Sequence, residues 1–242
     1  MRNRLPRFAT ASELYQLVTT GATLTSPNPD LKPDNDLSAE FRVKRRFAHA
    51  SAEVALFRDD VHDAIISQFL PLVAGSSTLY SATSNVDHVQ ARGVELALGS
   101  NDLLTRGFDF SGSVTYLDAK TLALSGQASA TATPGSAIGK RLPNIPDWRA
   151  SFTTTYRPVE RLALSLGGRY SGQVFTTLDN TDVNPNVYRG FSDWFVADAK
   201  ITYRVTDNWS SSLGVDNLLD RKYFFFHPFP QRTVVANLTF GF

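Results

Sequence analysis

The sequence predicts an all-β protein, an antiparallel transmembrane β-barrel portion of about nine to ten strands, and three observations predict it. Nine segments alternate apolar and polar residues, so each strand has one apolar and one polar face. The connections between them run short, long, short, long, which sends all short turns to one end of the sheet and all long loops to the other. Aromatic residues gather near both strand ends, as amphipathic rings do at two lipid–water boundaries.

Composition fits that class and excludes several others. The chain has 242 residues, 42% of them hydrophobic, and no run approaches the roughly 18–20 consecutive apolar residues of a spanning helix. Mean hydropathy is −0.18, which an alternating barrel strand tolerates and a helical membrane protein does not. Cysteine is absent, so disulfides, thiolate metal sites and a cysteine nucleophile are excluded. A net charge of +1 gives no basis for a nucleic-acid partner. The start, Met1 to Phe8, is basic, but Glu13 and Gln16 interrupt the only apolar stretch after it, so no secretory signal is expected.

Taken in order, Met1 to Pro33 reads mostly as loop, with a helical turn or two over Ser12 to Val18, and residues 1–35 as a loop or partial strand leading into the barrel. Leu37, Ala39, Phe41 and Val43 then alternate with Ser38, Glu40, Arg42 and Lys44. After a tight break near Arg46, Ala50, Ala52, Val54 and Leu56 continue the pattern, giving a hairpin. Val94, Leu96 and Leu98 mark the strand ending at Gly99, and Phe108, Phe110, Val114 and Tyr116 the next. Further strands follow through Trp148 to Tyr156, Leu162 to Tyr170, Phe195 to Tyr203 and Trp209 to Val215. The last runs from Arg232 to Phe242, with Val234, Ala236, Leu238, Phe240 and Phe242 on one face. Most strands are expected near the roughly 9–11 residues that cross a bilayer at a tilt.

Short breaks are expected at Arg46, Ser100 to Arg106, Arg157 to Arg161 and Val205 to Asn208. Long ones are expected at Leu70 to Tyr80, Leu122 to Pro146, Phe175 to Asp193 and Asn217 to Gln231. Phe47, Phe108, Tyr156, Tyr203, Trp209 and Phe242 then lie at the short-turn end, and Tyr116, Trp148, Tyr170 and Phe195 towards the long-loop end. A soluble β-sandwich also alternates, with its apolar face as core. Strand length, loop rhythm, two aromatic bands and the terminal aromatic favour the membrane instead.

Five sequence pieces carry a family resemblance. They are Asn28-Pro-Asp-Leu-Lys-Pro-Asp34; Asn85-Val-Asp87 with Arg92-Gly-Val-Glu-Leu96; Leu142-Pro-Asn-Ile-Pro-Asp-Trp148; Val215-Asp-Asn-Leu-Leu-Asp-Arg-Lys-Tyr223; and Arg232 to Phe242. In order and spacing this set resembles the C-terminal part of TonB-dependent outer-membrane receptors, gated transporters for iron-siderophore complexes, cobalamin and similar scarce nutrients. The resemblance implies a larger barrel, of the roughly 22-stranded plugged kind, with residues 36–242 as its C-terminal part. It leads us to expect that signal peptide, TonB-pairing segment and plug are not encoded in this chain. It also implies an outer-membrane lipid environment, TonB contact only through the plug, an iron-siderophore or similar ligand, and a C-terminal signal at Leu238, Phe240 and Phe242 for the assembly machinery. A porin-like channel is the remaining membrane alternative.

No catalytic set is found: His49, His62, His88 and His227 are scattered, and neither enzyme chemistry nor a cofactor is expected. Asp59, Asp60, His62 and Asp63 carry metal-ligating groups, yet alternate strand positions face apart, so a strand leaving the bilayer for solvent is preferred. Glu40, Arg42, Lys44, Glu95, Asp109, Arg149, Arg169, Asp198, Lys200 and Arg204 share the polar face and are expected to line a lumen. The loop Tyr223-Phe-Phe-Phe-His-Pro-Phe-Pro-Gln-Arg232 is unusually aromatic. Its Tyr223, Phe225, His227 and Arg232, with Arg189 and Trp194, are the candidates for a flat, anionic or aromatic ligand. Packing into the upper aromatic band is the competing reading for the rings.

Overall fold

A computed structural model describes residues 2–20, 23–71, 79–126 and 135–241. In chain order the elements are β1 (Arg2–Leu5), α1 (Ala11–Tyr15), β2 (Val18–Thr20), β3 (Thr23–Ser26), β4 (Asn35–Arg46), β5 (Ala50–Pro71) and β6 (Leu79–Ser100). They continue with β7 (Phe108–Ala123), β8 (Trp148–Val159), β9 (Leu162–Ser171), β10 (Trp194–Arg204) and β11 (Trp209–Asp216). A small hairpin, β12 (Phe224–Phe225) and β13 (His227–Pro228), precedes the last strand, β14 (Thr233–Phe240). Neighbours in the main sheet follow the order β1-β4-β5-β6-β7-β8-β9-β10-β11-β14, all antiparallel, and the sheet is open, with β1 and β14 at its edges.

The nine alternating segments are β4 to β11 and β14. One face is predominantly apolar across all nine, with Thr154 and Ser211 among its few polar members. Its rows run Phe41, Leu56, Val94, Tyr116, Trp148 across β4 to β8, and Leu164, Ile201, Leu213, Ala236 across β9, β10, β11 and β14. These side chains are not packed against a second layer: Phe41 is 64% and Leu238 67% exposed. A soluble sandwich would bury this face, so the sandwich reading fails and hydrocarbon is the medium that fits it. Paired rings edge the face at both ends. Tyr116 and Trp148 lie 4.8 Å apart at the long-loop end, and Trp209 and Phe240 4.9 Å apart at the short-turn end. Phe242 lies outside the described residues.

The structure departs from expectation in three places. Residues 2–20 and 23–33 hold more strand pairing than expected: β1 pairs with β4 and β3 pairs in parallel with the far end of β6, while the helical turn expected over Ser12 to Val18 is met by α1, with a capping box between Thr10 and Glu13. Strand length is the second: β5 and β6 have 22 residues each and β7 has 16, far more than a bilayer crossing requires. The β5–β6 ladder therefore reaches Pro71↔Leu79, inside the span expected to be a long loop. Third, the described residues hold a buried apolar cluster, and it sits beyond the membrane band. Ala64, Val86, Val89, Ala119, Ala137, Leu142 and Leu178 pack where the β7–β8 and β9–β10 connections fold back onto the strand extensions. A positive φ at Asp63 and a register shift at His88/Val89 turn the strands there, so the faces no longer follow the pattern below.

Candidate functional site

The β11–β14 connection is built on Asn217. Its backbone is left-handed, φ +51°, a conformation asparagine tolerates better than most residues, and its side chain is 5% exposed. Its amide Nδ2 donates to the carbonyls of Arg221 (2.9 Å) and Pro230 (3.4 Å), its Oδ1 accepts Arg221 N–H (2.8 Å), and its own N–H donates to Asp198 Oδ1 (2.9 Å). Asp198 Oδ2 accepts Arg169 Nη2 at 3.0 Å, so one carboxylate joins the polar wall of the sheet to the loop above it. Asp220 Oδ1 accepts Arg232 N–H (3.0 Å), closing the loop's other end.

Two outer connections are then laced together. The hairpin β12–β13 turns at Phe226, φ +67°, and its Phe225 bridges to Phe191 of the β9–β10 connection. Arg189 N–H donates to Phe226 O (2.7 Å), Phe226 N–H to Gly190 O (3.0 Å) and Ser192 N–H to Phe224 O (3.0 Å). Rings follow the backbone: Phe191 on Phe225 (5.0 Å), Tyr188 on Phe226 (6.0 Å) and His227 (5.4 Å), with the Arg189 guanidinium 6.0 Å from the Tyr188 centroid. Tyr223 is buried, stacked 4.7 Å from Phe229 and 5.0 Å from Trp194. Burial raises the Tyr223 phenol above its ordinary pKa, with Asp198 adding to the rise and Arg169 opposing it.

The ligand candidates fall into two ring groups: Arg189, Phe225 and His227 with Tyr188 and Phe191, and Tyr223 and Trp194 with Phe229. Phe225, His227, Tyr188 and Arg189 face solvent, while Tyr223 is buried. Arg232 stands apart: its Nε donates to Leu218 O at 3.1 Å, so it braces the loop base. Rings packing on one another between two loops is an arrangement that neither sequence reading described.

The lumen candidates occupy the face opposite the apolar rows. Arg42 bridges Glu40 (2.8 Å) and Glu53 (2.5 Å), Lys44 reaches Glu53 (3.2 Å), Asp109 pairs with Arg157, and Arg169 with Asp198. Arg149, Lys200 and Arg204 form no ion pair among the described residues. Asp60, by contrast, is engaged by Arg58, Gln90 and His88, and His62 stacks on His88 at 4.3 Å. Among the described residues no three His, Asp or Glu side chains form a metal-holding group.

The quoted sequence pieces turn out to be clamps. Asn85 Oδ1 accepts Lys32 N–H (2.8 Å) while its Nδ2 donates to Lys32 O (2.9 Å) and Asp63 O (2.6 Å), and Asn28 Nδ2 donates to Thr83 O (3.1 Å). Asn144, φ +61°, donates its N–H to Phe175 O (2.6 Å), and Leu142 is buried in the outer cluster. Replacing Asn85 by Ala removes all three bonds and leaves the Lys32 and Asp63 groups unpaired. A loss of roughly 2–3 kcal/mol is expected, read as earlier protease cleavage in residues 27–34 with the membrane part unchanged.

The family model described as "TonB dependent receptor-like, beta-barrel" matches residues 4–218. The chain belongs to the TonB-dependent receptor family. Among relatives, the probable TonB-dependent siderophore receptor PiuA of Acinetobacter baumannii is 29% identical over 207 residues, covering 84% of this chain and 25% of that protein. The catecholate siderophore receptor Fiu of Escherichia coli K12 is 24% identical over 243 residues, covering 93% of this chain and 28% of that protein. The chain therefore spans about a quarter of these relatives' length. Solved structures share the fold: the copper transporter OprC has a TM-score of 0.71 at 20% identity, over 100% of this chain and 37% of that one. Fiu in its closed form gives 0.69 at 21% identity, over 100% and 32%. TonB-dependent receptors are transport receptors of the Gram-negative outer membrane, and this stretch falls in the family's β-barrel.

Proposed function

We propose that the complete receptor resides in the outer membrane and imports an iron-siderophore complex, with this chain supplying part of the barrel wall and a share of the ligand surface. The observation that carries it is the laced pair of outer loops, which presents Tyr188, Phe225, His227 and Arg189 on one face. Flat catecholate-type ligands are aromatic and anionic when they hold iron, so ring faces and a guanidinium are complementary to them. The relatives' names point the same way: PiuA and Fiu are siderophore receptors, and a 90-residue stretch is 36% identical to the ferric-pyoverdine 358 receptor of Pseudomonas putida. Beneath the loops, the polar wall from Arg149 to Arg204 faces a plug, which TonB draws on to open passage. OprC, named for copper, shares the fold, so the wall alone does not name the cargo.

The test is binding of a ferric catecholate to the complete receptor carrying Arg189→Ala, Phe225→Ala or His227→Ala. Each variant is expected to weaken affinity about tenfold, the worth of one stacking or charge-assisted contact. Wild-type affinity in all three overturns the assignment of this surface. Arg232→Ala is expected to act only through loop order.

A further inference from the structure

The outward face of β5, β6 and β7 changes character within one step of the pleat. Leu56, Val94 and Tyr116 are cross-strand neighbours in the uppermost apolar row, beside the Tyr116–Trp148 ring pair. Two residues further out, Arg58 lies directly opposite Arg92, with Asp118 next in the row. One step beyond, Lys120 is bridged to Arg141 of the β7–β8 connection. Like charges placed directly opposite destabilise a sheet, and here two such pairs stand side by side.

Carboxylates answer them only in part. Arg58 pairs with Asp60 (2.6 Å) and Arg141 with Asp147 (2.7 Å), while Asp118 is shared between Arg92 (3.2 Å) and Lys120 (2.8 Å). Four cations therefore have three carboxylates. The side chains of Arg58 and Arg92 remain 57% and 63% exposed, facing outward over the apolar rows.

We propose that Arg58, Arg92, Lys120 and Arg141 form a seat for the phosphate groups of an outer-leaflet lipid headgroup. The aromatic row marks the hydrocarbon boundary, and two residues of strand rise about 7 Å, which places these cations in the headgroup layer. Asp60 holds the Nε–Nη2 edge of Arg58 and Asp118 that of Arg92, which leaves each guanidinium its Nη1–Nη2 edge for phosphate, and an anion between the two removes their mutual repulsion. Continuity with the apolar face decides for a lipid over a free anion: acyl chains from a headgroup held here run down Val94, Leu96 and Leu98. This inference rests on the outer-membrane placement proposed above.

The experiment takes the complete receptor extracted from the outer membrane in mild detergent and measures retained lipid by native mass spectrometry. Wild type is expected to retain a phosphorylated lipid, R58Q/R92Q at least fivefold less, and R204Q, on the lumen face, as much as wild type. R58K/R92K, which keeps the charge without the planar fork, is expected to be intermediate and keeps the test decisive if the neutral variant does not assemble. A melting shift is expected from bisphosphorylated lipid A and from neither its dephosphorylated form nor inorganic phosphate. Equal retention by wild type and R58Q/R92Q overturns the seat, and an equal shift with inorganic phosphate overturns the lipid source. Ferric catecholate affinity in the same samples stays at wild type, so this inference and the ligand assignment fail separately; absence of wild type from the outer membrane overturns both the placement and the seat.

Discussion

Replacing Gly93 by alanine abolishes most assembly of the β6–β7 wall. A Cβ built there overlaps the Tyr116 carbonyl oxygen and meets the Phe57 ring at 2.6 Å, on the polar face where the three strands pair. A ring can swing away, but a ladder carbonyl moves only with its strand. Overpacking of this kind costs about 1–3 kcal/mol where a core can yield, and a continuous antiparallel ladder yields less. The measurement is the fraction of receptor migrating as a folded, heat-modifiable band from outer membranes. It should fall severalfold in Gly93→Ala, and Phe57→Ala added to it should not restore it, because the carbonyl contact remains. Gly214→Ala is the control: its nearest atoms are 3.7 Å and 3.8 Å away, so it is expected to assemble normally.

Asn217→Ala is expected to leave the barrel intact and disorder the 217–232 connection. The substitution leaves the Arg221 and Pro230 carbonyls without their amide donor; both residues are solvent-exposed, so each lost bond is worth about 0.5–1.5 kcal/mol. It also places a Cβ-bearing residue without a side-chain acceptor in the left-handed region, at roughly 1 kcal/mol more. Proteolysis at Arg221 or Lys222 should speed up by at least tenfold, and ferric catecholate affinity should drop because the Phe225 hairpin loses its base. Asn217→Gly separates the causes: the backbone conformation becomes free of strain while the hydrogen bonds stay lost, so intermediate protection is expected. Full protection in Asn217→Ala would show that the aromatic stack holds the loop unaided.

Within the membrane band the sequence was readable residue by residue, because hydrocarbon on one side and polar groups on the other impose a period of two that nothing else there disturbs. Phe41, Leu56, Val94 and Tyr116 were placed on one face by alternation, and they are cross-strand neighbours. Past Arg58 the signal fails for a physical reason. The outer face becomes charged and the inner face is covered by folded-back loops, so both contain a mixture of residues, and the left-handed Asp63 shifts the phase. That is why 22-residue strands were expected to be shorter. β1 was read no more closely than a loop or partial strand, because four residues, Arg2 to Leu5, hold too little pattern to register.

Composition alone singled out the aromatic loop, but its partner was invisible: Phe191 and Phe225 are brought together by backbone pairing between two distant connections, which no local pattern encodes. Arg232 looked like a ligand group because it follows the rings, and only the Leu218 carbonyl explains its place. Asn217 lay in full view inside a quoted motif. The available signal was an asparagine at the start of a long connection, where left-handed backbone and self-capping are common.

β5 and β6 are far longer than the wall they belong to needs. Twenty-two residues at about 3.3 Å each make a ribbon about 70 Å long, while the apolar band of a barrel wall is about 25 Å tall. Even leaning, this ribbon stands as a mast well clear of the bilayer, stiffened at mid-height by its own small apolar core. Beyond the band the ladder is held by protein packing and backbone pairing and not by hydrocarbon, so its order should survive the exchange of lipid for detergent.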